Sequence, residues 1–554
     1  MFREPRPALT RPGARRPLII VRTERWLAAA ALICGTAAWW AFFQRDLVLS
    51  HYDAKAHLVV ARRVIDSLTP GWQQFGAVWL PLPHLLQVVP TQIDWLYRTG
   101  LFGSLISLAS FAVSAWAAAR LVLSMTGSVA GAVTAGSLLL LNPNLLYLQA
   151  TPMTEPLLLG ATLVVVLWTC EWLAAAAPVP PAPRKLGWAM AAAMWTRYEA
   201  WLVVGAVLAI AAIVTRPGSS GGSASRNPPH TGVGGWLSGV GPVPPKADPR
   251  FVERMPAKAD PPLVSRPAEA GVVFRLALWP AAAALLFVIN SRITVGAWFV
   301  SGGFYEPDPF YQDQLWRSLV AVWWGTHRLS GYAMTTAALA ALAVIVVRGV
   351  RGGARGAWLV PAALFAAAAL PLYAFYSGHP FRIRYMVPAV AASAVFCGLG
   401  VGLIRAAPAA RILGALLVAA TLLESPPWSD RAPMVEEAQW DVPRSRERRA
   451  VTACLAPSYQ GDRVLASMGS LAHYMQELSH AGFAIADFVH EGNGVIWELA
   501  METGPAAHAG WMLVEEQAEG GDVLAQRMRA DPAFARGMER VCEGGGVALY
   551  RRRP

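Results

Sequence analysis

The chain has 554 residues, of which 55% are hydrophobic and only 15% are charged, and its mean hydropathy is +0.39. This composition excludes an ordinary soluble domain and indicates a polytopic membrane protein. The net charge of +12 does not indicate nucleic-acid binding, because the arginines occur in short runs between apolar segments, where membrane topology explains them better.

Uncharged apolar stretches long enough to cross a bilayer recur along the chain. The longer stretches cover residues 26–43, 101–119, 121–148, 157–170, 276–290, 329–347, 357–376 and 386–404. Shorter candidates cover residues 186–196, 200–215 and 412–423. Together they predict a mainly α-helical membrane bundle with about eleven transmembrane helices.

Arginine-rich segments set the predicted topology. They cover residues 3–25, 184–185, 216–275, 348–355 and 405–411. The positive-inside tendency puts them all in the cytoplasm, so even numbers of crossings must separate them. Residues 186–215 then form either two short helices hinged at Arg197-Tyr198-Glu199 or one long tilted helix that reverses the side of every later loop. The first interpretation puts the N-terminus inside and the segment after residue 423 outside.

The first outer loop carries an ionisable cluster beside a membrane span. It opens with His51-Tyr52-Asp53-Ala54-Lys55-Ala56-His57. Such a cluster is costly at the rim of a bilayer unless it is used, so Asp53 is the first candidate for chemistry. The pattern predicts a surface-lying helix over residues 53–68, stopped by Pro70-Gly71. Residues 78–86 contain two prolines, which forbid a regular spanning helix, and Trp79 suits the membrane interface.

Two more acids stand near predicted helix starts. Glu155 heads the fourth span after an unusually polar approach, and it either orients an acceptor, holds Lys55 or an arginine, or simply caps its helix. Glu199 stands at the predicted hinge, where it forms either a functional or a structural ion pair with Arg197. Helix capping is also the alternative role for Asp53.

Two polar loops lie between later spans. Residues 301–313 mix glycine, aromatic residues and acids, and they either close over a ligand or belong to the interfacial aromatic belt. Residues 376–385 carry arginines, whose forked guanidinium groups match phosphate oxygens but also anchor to lipid headgroups. The candidate residues in the two loops are Tyr305, Glu306, His379, Arg382, Arg384 and Tyr385.

Two segments outside the spans differ in composition. Residues 216–270 are rich in proline, glycine and serine and predict a disordered cytoplasmic loop. Residues 425–554 predict a small α/β domain, which contains only two cysteines, Cys454 and Cys542, whose pairing stays open. Its predicted strands cover residues 464–467, 483–489, 511–514 and 547–550, and its predicted helices cover residues 471–478 and 523–529.

These motifs together resemble the GT-C superfamily of integral-membrane glycosyltransferases, in particular the branch with protein O-mannosyltransferases and the bacterial aminoarabinose transferase. The similar segments are residues 52–57 with Ala61-Arg62, residues 79–86, 153–156 and 196–201, and Arg384-Tyr385 with Pro388. The resemblance covers the membrane part to about residue 405. It implies sugar transfer from a polyprenyl-phosphate donor.

The resemblance also implies a role for each candidate. Displacement at the anomeric carbon needs a base for the acceptor hydroxyl and cations for the departing phosphate, so Asp53 is the predicted base and Glu155 its helper. The predicted donor-phosphate ligands are Arg382, Arg384, Arg197 and Lys55. The predicted substrate-binding residues are His57, Trp79, His84, Tyr198, Glu199, Tyr305, Glu306, His379 and Tyr385.

We expect no metal cofactor. His51, Asp53, His57 and Glu155 could in principle bind a divalent cation, but their spacing is not that of a metal site. The expected partners are a polyprenyl-phosphate sugar donor, an acceptor that is protein, lipid or polysaccharide, and membrane lipid. Nucleic acid is not an expected partner.

The predicted function is therefore an inverting glycosyltransferase of the cytoplasmic (inner) membrane that acts on the outer face. Its predicted parts are a cytoplasmic basic tail at residues 1–25, a transmembrane transferase domain at 26–424 and an outer domain at 425–554 that covers the site or recruits an acceptor. The competing class is a transporter or lipid flippase, which would place ionisable residues and broken helices near the middle of the membrane.

Overall fold

The structure is a computed structural model that describes residues 18–175, 181–215, 269–300, 307–351, 353–518 and 521–554. Residues 216–268 of the predicted cytoplasmic loop and residues 1–17 of the predicted basic tail lie outside this range. Residues 216–268 fall between two apolar helices, and residues 1–17 precede the first helix.

The membrane part is almost entirely helical. Its α-helices are α1 (Leu18–Phe43), α2 (Tyr52–Arg62), α3 (Leu82–Leu85), α4 (Asp94–Thr99), α5 (Leu101–Thr126), α6 (Val129–Leu140), α7 (Pro143–Leu148), α8 (Glu155–Leu173), α9 (Arg184–Met194), α10 (Glu199–Val214), α11 (Glu269–Val295), α12 (Leu315–Ser330), α13 (Tyr332–Arg351), α14 (Ala369–Tyr376), α15 (Val387–Gly402) and α16 (Ala407–Glu424). Its 3₁₀ segments are Trp72–Phe75, Pro90–Gln92, Gly353–Ala368 and Ile383–Met386.

In the described part of the chain, eight helices are long and apolar enough to cross a membrane. They are Arg22–Phe43, Leu101–Thr126, Glu155–Leu173, Gly271–Val295, Tyr332–Val350, Ala357–Tyr376, Ile383–Gly402 and Ala407–Glu424, with the shorter apolar helices α6 and α10 beside them. The predicted helical, multi-pass membrane architecture is confirmed. The predicted total of about eleven spans stays a prediction.

The helix that begins at Leu101 ends later than the sequence predicted. A charged residue, Arg120, separates the predicted stretches 101–119 and 121–148, but α5 continues through Arg120 and ends before Gly127. The Arg120 charge is compensated by Glu171 of α8, to which its Nε donates at 2.8 Å, and arginine itself favours a helix. Gly127 ends the helix in the left-handed conformation, with φ of 69°, which glycine adopts at no steric cost.

Residues 186–215 form two helices, α9 and α10, as one of the two interpretations predicted. The break lies at residues 195–198, beside the predicted hinge. The single long helix is therefore wrong for this segment. The amphipathic helix α12 was not predicted, because its polar residues interrupt the apolar run that a spanning helix requires.

Helix α2, predicted to lie on the surface, is largely buried and ends at Arg62, earlier than the predicted boundary at residue 68. Beyond it the chain turns towards the C-terminal domain. Asn493 Nδ2 donates hydrogen bonds to Ser67 Oγ at 3.2 Å and to Thr69 Oγ1 at 3.1 Å. These tertiary contacts outweigh the local helical pattern, which does not record them.

The C-terminal domain contains α17 (Pro433–Ala438), α18 (Val442–Leu455), α19 (Met468–Leu478), α20 (Val495–Thr503) and α21 (Val523–Ala530). Its strands are β1 (Val464–Ala466), β2 (Phe488–Val489), β3 (Trp511–Glu515), β4 (Met538–Gly544) and β5 (Val547–Arg552). They form one sheet in the order β2-β1-β3-β5-β4, in which β1 is parallel to β2 and β3, and β5 is antiparallel to β3 and β4. The predicted α/β character is confirmed.

One strand of this sheet was missed. Strand β4 lies at the edge, and most of its side chains are exposed, so it lacks the apolar alternation of the predicted strands. A disulfide joins Cys542 of β4 to Cys454 of α18, which settles the pairing that the sequence left open.

The C-terminal domain shares a hydrophobic core with the first loop. Ala56, Leu58 and Val59 of α2 are buried in the same cluster as Leu471 of α19 and Phe488 of β2. The helix that carries Asp53 therefore packs against both the membrane part and the C-terminal domain.

Candidate active site

Asp53 lies in the first turn of α2 but does not cap it. The N-cap is His51, whose Nδ1 accepts a hydrogen bond from the Asp53 backbone N–H at 3.1 Å. The Asp53 carboxylate instead lies against Arg384, with Oδ2 2.6 Å from Nη2. This contact removes the capping alternative and joins two residues that are far apart in the sequence.

Glu437 completes this cluster, and the sequence did not single it out. It lies on α17, with Oε1 3.2 Å from Arg384 Nη1 and 3.4 Å from His51 Nε2. His51 Nδ1 accepts the Asp53 backbone N–H, so Nε2 is the ring nitrogen that faces this cluster, 3.1 Å from Arg384 Nη1 and 3.4 Å from Glu437 Oε1. No local pattern marks Glu437, since the neighbouring Glu436 is identical in type but exposed.

Electrostatics favour the charged form of Glu437. Burial would raise the pKa of this carboxyl, but the hydrogen bond with His51 and the charge of Arg384 lower it below its ordinary value. Arg382 also acts on Glu437 with the same sign. Glu437 is therefore held as an anion by His51 and Arg384.

A second cluster surrounds Arg197 at the break between α9 and α10. Its Nη1 donates to Glu155 Oε1 and to Thr154 Oγ1, each at 3.0 Å, and its Nη2 donates to Glu199 Oε1 at 2.8 Å. Glu155 is fully buried, and its Oε2 is enclosed without a hydrogen-bond partner in the described part of the chain. The predicted hinge pair and the acid that heads α8 thus form one ion network.

The two clusters lie within electrostatic range of each other. The charge of Arg384 acts on Arg197, and both arginines act on the buried imidazole of His57. Each arginine faces two carboxylates: Asp53 and Glu437 for Arg384, and Glu155 and Glu199 for Arg197. With these carboxylates ionised, each cluster carries more negative than positive charge.

His57, His84 and Trp79 form a third group beside these clusters. His57 Nδ1 lies 3.0 Å from His84 Nε2. The Trp79 ring lies 4.2 Å from the His57 ring, centroid to centroid, and stacks on His84 at 5.8 Å. The three residues lie in the first loop, two of them in the proline-containing segment 78–86.

Lys55 contacts the C-terminal domain rather than the clusters around Arg384 and Arg197. Its Nζ lies 2.6 Å from Glu477 Oε1 of α19, and the fully buried Arg448 of α18 donates to the same carboxylate at 2.8 Å. Arg448 also holds Asp441 in a bidentate pair. The predicted phosphate ligand Lys55 is thus placed in an ion network with the C-terminal domain.

The remaining candidates are more dispersed. His379 Nε2 lies 3.2 Å from the Tyr385 hydroxyl, and the Tyr198 hydroxyl donates to the Val78 carbonyl at 3.1 Å. Arg382 is close enough to act electrostatically on Tyr52. Tyr305 and Glu306 lie outside the described residues.

No group of three or more histidine, cysteine, aspartate or glutamate side chains has the arrangement of a metal site within the described ranges. The expectation that the protein uses no metal stays a prediction.

No protein-family model and no curated protein matches this sequence. Among solved structures, the chain is similar to ArnT from Cupriavidus metallidurans bound to undecaprenyl phosphate, with 11% sequence identity and a TM-score of 0.53. The match covers 94% of this chain and 97% of that one. The chain has the fold of ArnT. The apo ArnT structure matches with 13% identity and a TM-score of 0.49, over 93% of this chain and 98% of the other.

The likeness to ArnT confirms the predicted GT-C resemblance as a matter of fold. It includes the C-terminal domain, whereas the sequence motifs reached only to about residue 405. Because identity with ArnT is so low, the roles of individual residues rest on the geometry described above.

Proposed function

We propose that this protein is an inverting glycosyltransferase that moves a sugar from a polyprenyl-phosphate donor to an acceptor hydroxyl. The observation that carries the proposal is the contact of Asp53 with Arg384 at 2.6 Å. A carboxylate and a guanidinium held together provide the base and the phosphate ligand that this displacement requires.

The position of the charges favours a transferase over a transporter. The carboxylates and Arg384 of the two clusters lie at the starts of candidate spans or between spans. Glu155, Glu199 and Arg384 stand at the starts of apolar helices, whereas Asp53 in α2 and Glu437 in α17 lie between spans. A transporter or flippase is expected to carry such residues at broken helices near the middle of the membrane.

The fold supports the class of donor. ArnT, which shares the fold over nearly the whole chain, has been crystallised with undecaprenyl phosphate. We therefore propose a lipid of this type as the donor's carrier here.

In the proposed reaction, the acceptor oxygen attacks the anomeric carbon of the sugar from the face opposite the phosphate. Asp53 takes the hydroxyl proton as the new carbon–oxygen bond forms. The bond from the anomeric carbon to the phosphate oxygen breaks, and the lipid phosphate leaves with that electron pair. Arg384 and Arg382 stabilise the charge that grows on the phosphate.

The remaining assignments are part of the same proposal. Arg197, held by Glu155, is a second cation beside Arg384, and Tyr198, Glu199, His379 and Tyr385 line the route of the substrate. We place the N-terminus in the cytoplasm and the C-terminal domain on the outer face of the inner membrane, where it contributes to acceptor binding.

The first test is the substitution Asp53→Asn in the purified full-length protein supplied with undecaprenyl-phosphate monosaccharides. Loss of a general base should slow sugar transfer or donor hydrolysis roughly 100- to 10,000-fold. Asp46→Asn is the matched control, because Asp46 is exposed and lies near Asp53 in the chain, outside the site. Its φ of 56° is also one that asparagine tolerates.

Undiminished turnover of Asp53→Asn would remove Asp53 from the role of base. Failure of the wild-type protein to hydrolyse or transfer any sugar would contradict the transferase and favour the transporter.

A further inference from the structure

His57 lies on the same face of α2 as the proposed base. It follows Asp53 by four residues, and residues at this spacing are neighbours on a helix surface. The imidazole is buried, and the positive charges of Arg197 and Arg384 help to lower its pKa. His57 is therefore adjacent to the place where the donor sugar would react.

A chain of hydrogen bonds fixes the orientation of its protons. The Leu80 carbonyl can only accept, so His84 Nδ1, 3.2 Å away, carries a hydrogen and donates it. His84 Nε2 is then the acceptor in the neutral ring, and His57 Nδ1 must donate to it across 3.0 Å.

Both rings stay neutral at physiological pH. Burial, with smaller contributions from neighbouring cations, lowers the pKa of His84 to about 3 and lowers the pKa of His57 well below its ordinary value. With its hydrogen on Nδ1, His57 presents a lone pair at Nε2. This nitrogen therefore accepts hydrogen bonds but cannot donate one.

The lone pair has no protein partner. Within the described residues His57 Nε2 makes no hydrogen bond, and it is not among the polar atoms that are enclosed without a partner. Nε2 is therefore not completely enclosed, although His57 as a whole is only 3% exposed. Trp79, with its ring 4.2 Å from that of His57, provides an apolar wall beside it.

This side of α2 faces residues 79–84 rather than the C-terminal domain. Lys55 precedes His57 by two residues, so the two side chains point to nearly opposite sides of the helix. Lys55 contacts the C-terminal domain, whereas His57 contacts residues 79–84. Leu85 and Leu86, which follow this segment, are exposed apolar residues typical of a surface that meets lipid.

We propose that His57 Nε2 accepts a hydrogen bond from a hydroxyl of the donor sugar, next to the reacting carbon, with Trp79 against the sugar ring. The inference rests on the proposed function. It deepens that function by making the ligand a sugar with a free hydroxyl near its anomeric carbon. A charged carboxylate or phosphate substituent at that position would repel the imidazole lone pair.

The test measures binding to the purified full-length protein in lipid nanodiscs. The probes are undecaprenyl phosphate and undecaprenyl-phosphate glucose, mannose, galactose and arabinose. The sugar that binds best is then compared with its single-position deoxy forms. We expect one deoxy form to bind wild-type protein roughly ten-fold more weakly than its parent, because a buried acceptor loses its partner.

Two substitutions separate hydrogen bonding from shape. His57→Phe keeps a ring but removes the acceptor, so it should bind the parent sugar roughly ten-fold more weakly and no longer distinguish the deoxy form. His57→Gln places an amide oxygen near the position of Nε2 and should retain most of the affinity. Undecaprenyl phosphate without sugar should bind the wild-type protein and both variants equally.

The failures are distinguishable. If a donor binds and reacts but His57→Phe treats parent and deoxy sugars as the wild-type protein does, the role of His57 is wrong while the transferase stands. If both variants also lose undecaprenyl phosphate, His57 maintains the structure instead. If the wild-type protein binds none of these lipids, the proposed function fails and the inference fails with it.

Discussion

At the scale of single residues, the charges around Arg384 decide how a phosphate can bind. Arg384 already faces Asp53 and Glu437, and the side chains of all three are less than one-fifth exposed. A further anion in such a place is costly unless a negative charge is removed or displaced. The donor phosphate must therefore compete with these carboxylates for the guanidinium, which would also release Asp53 to act as a base.

This competition predicts the effect of Glu437→Gln. The amide oxygen can still accept from Arg384, but one negative charge is lost, so undecaprenyl phosphate should bind more tightly, by roughly three- to ten-fold at low salt. Equilibrium binding of the radiolabelled lipid measures the change. Glu436→Gln is the matched control, since Glu436 is exposed and makes no ion pair among the described residues. Weaker binding in Glu437→Gln would mean that Glu437 chiefly orients Arg384.

At the scale of helices, close backbone contact holds the bundle beneath the site. Helices α6 and α15 meet where a Cβ added at Gly398 would lie 2.7 Å from the Gly131 carbonyl oxygen and 2.6 Å from the Ala135 Cβ. Small residues allow this approach, as they do in other membrane helix pairs. Helix α15 begins at Val387, three residues after Arg384, so its packing helps to position the arginine of the site.

The expected result of Gly398→Ala is a lower melting temperature of the purified protein. Helix propensity favours alanine by up to about 1 kcal/mol, but the added methyl group meets backbone and a neighbouring side chain. Gly205→Ala makes the same change in α10, where nothing lies within 4 Å of the added atom, and should leave the melting temperature equal or higher. Equal behaviour of the two variants would show that the α6–α15 contact relaxes easily.

At the scale of the whole molecule, the C-terminal domain is part of the site rather than an appendage. It supplies Glu437 to the first arginine cluster and packs Leu471 into the core that buries α2. It also binds Lys55 through Glu477. The geometry of Asp53 therefore depends on how this domain docks on the membrane part.

Glu477→Gln tests this docking. It removes the anion shared by Lys55 and Arg448, which leaves Lys55 without this partner and Arg448 with Asp441 alone. It should therefore destabilise the folded protein by roughly 3–5 kcal/mol at neutral pH. A lowered melting temperature and reduced sugar transfer measure the effect. Glu447→Gln is the control, because Glu447 is exposed on α18. A variant as stable as the wild-type protein would show that the apolar core alone docks the domain.

The difference in stability between the wild-type protein and Glu477→Gln should depend on pH. Burial opposes ionisation of Glu477, but Lys55 and Arg448 lower its pKa from 4.5 to about 2. The stabilisation is therefore fully present above pH 4.5 and is lost as the pH falls towards 2. The gap in melting temperature between wild-type protein and Glu477→Gln should shrink over that range.

The sequence by itself determined the class of the protein and most of the residues worth testing. Uninterrupted apolar stretches of this length are stable as helices in lipid. The even number of crossings required between arginine-rich segments favoured the break near Arg197. Local patterns also marked Asp53 and Arg384 as exceptions to an apolar background. These patterns are local, so they can be recognised in a single sequence.

Only the tertiary structure decided which of these residues meet. It joined Asp53 to Arg384, added Glu437, and directed Lys55 to the C-terminal domain. Ion pairs between distant segments depend on helix packing and on the shared core beneath α2. Neither feature produces a periodic pattern in the sequence that could be recognised. The identity of a charged residue is local information, whereas its partner is a property of the fold.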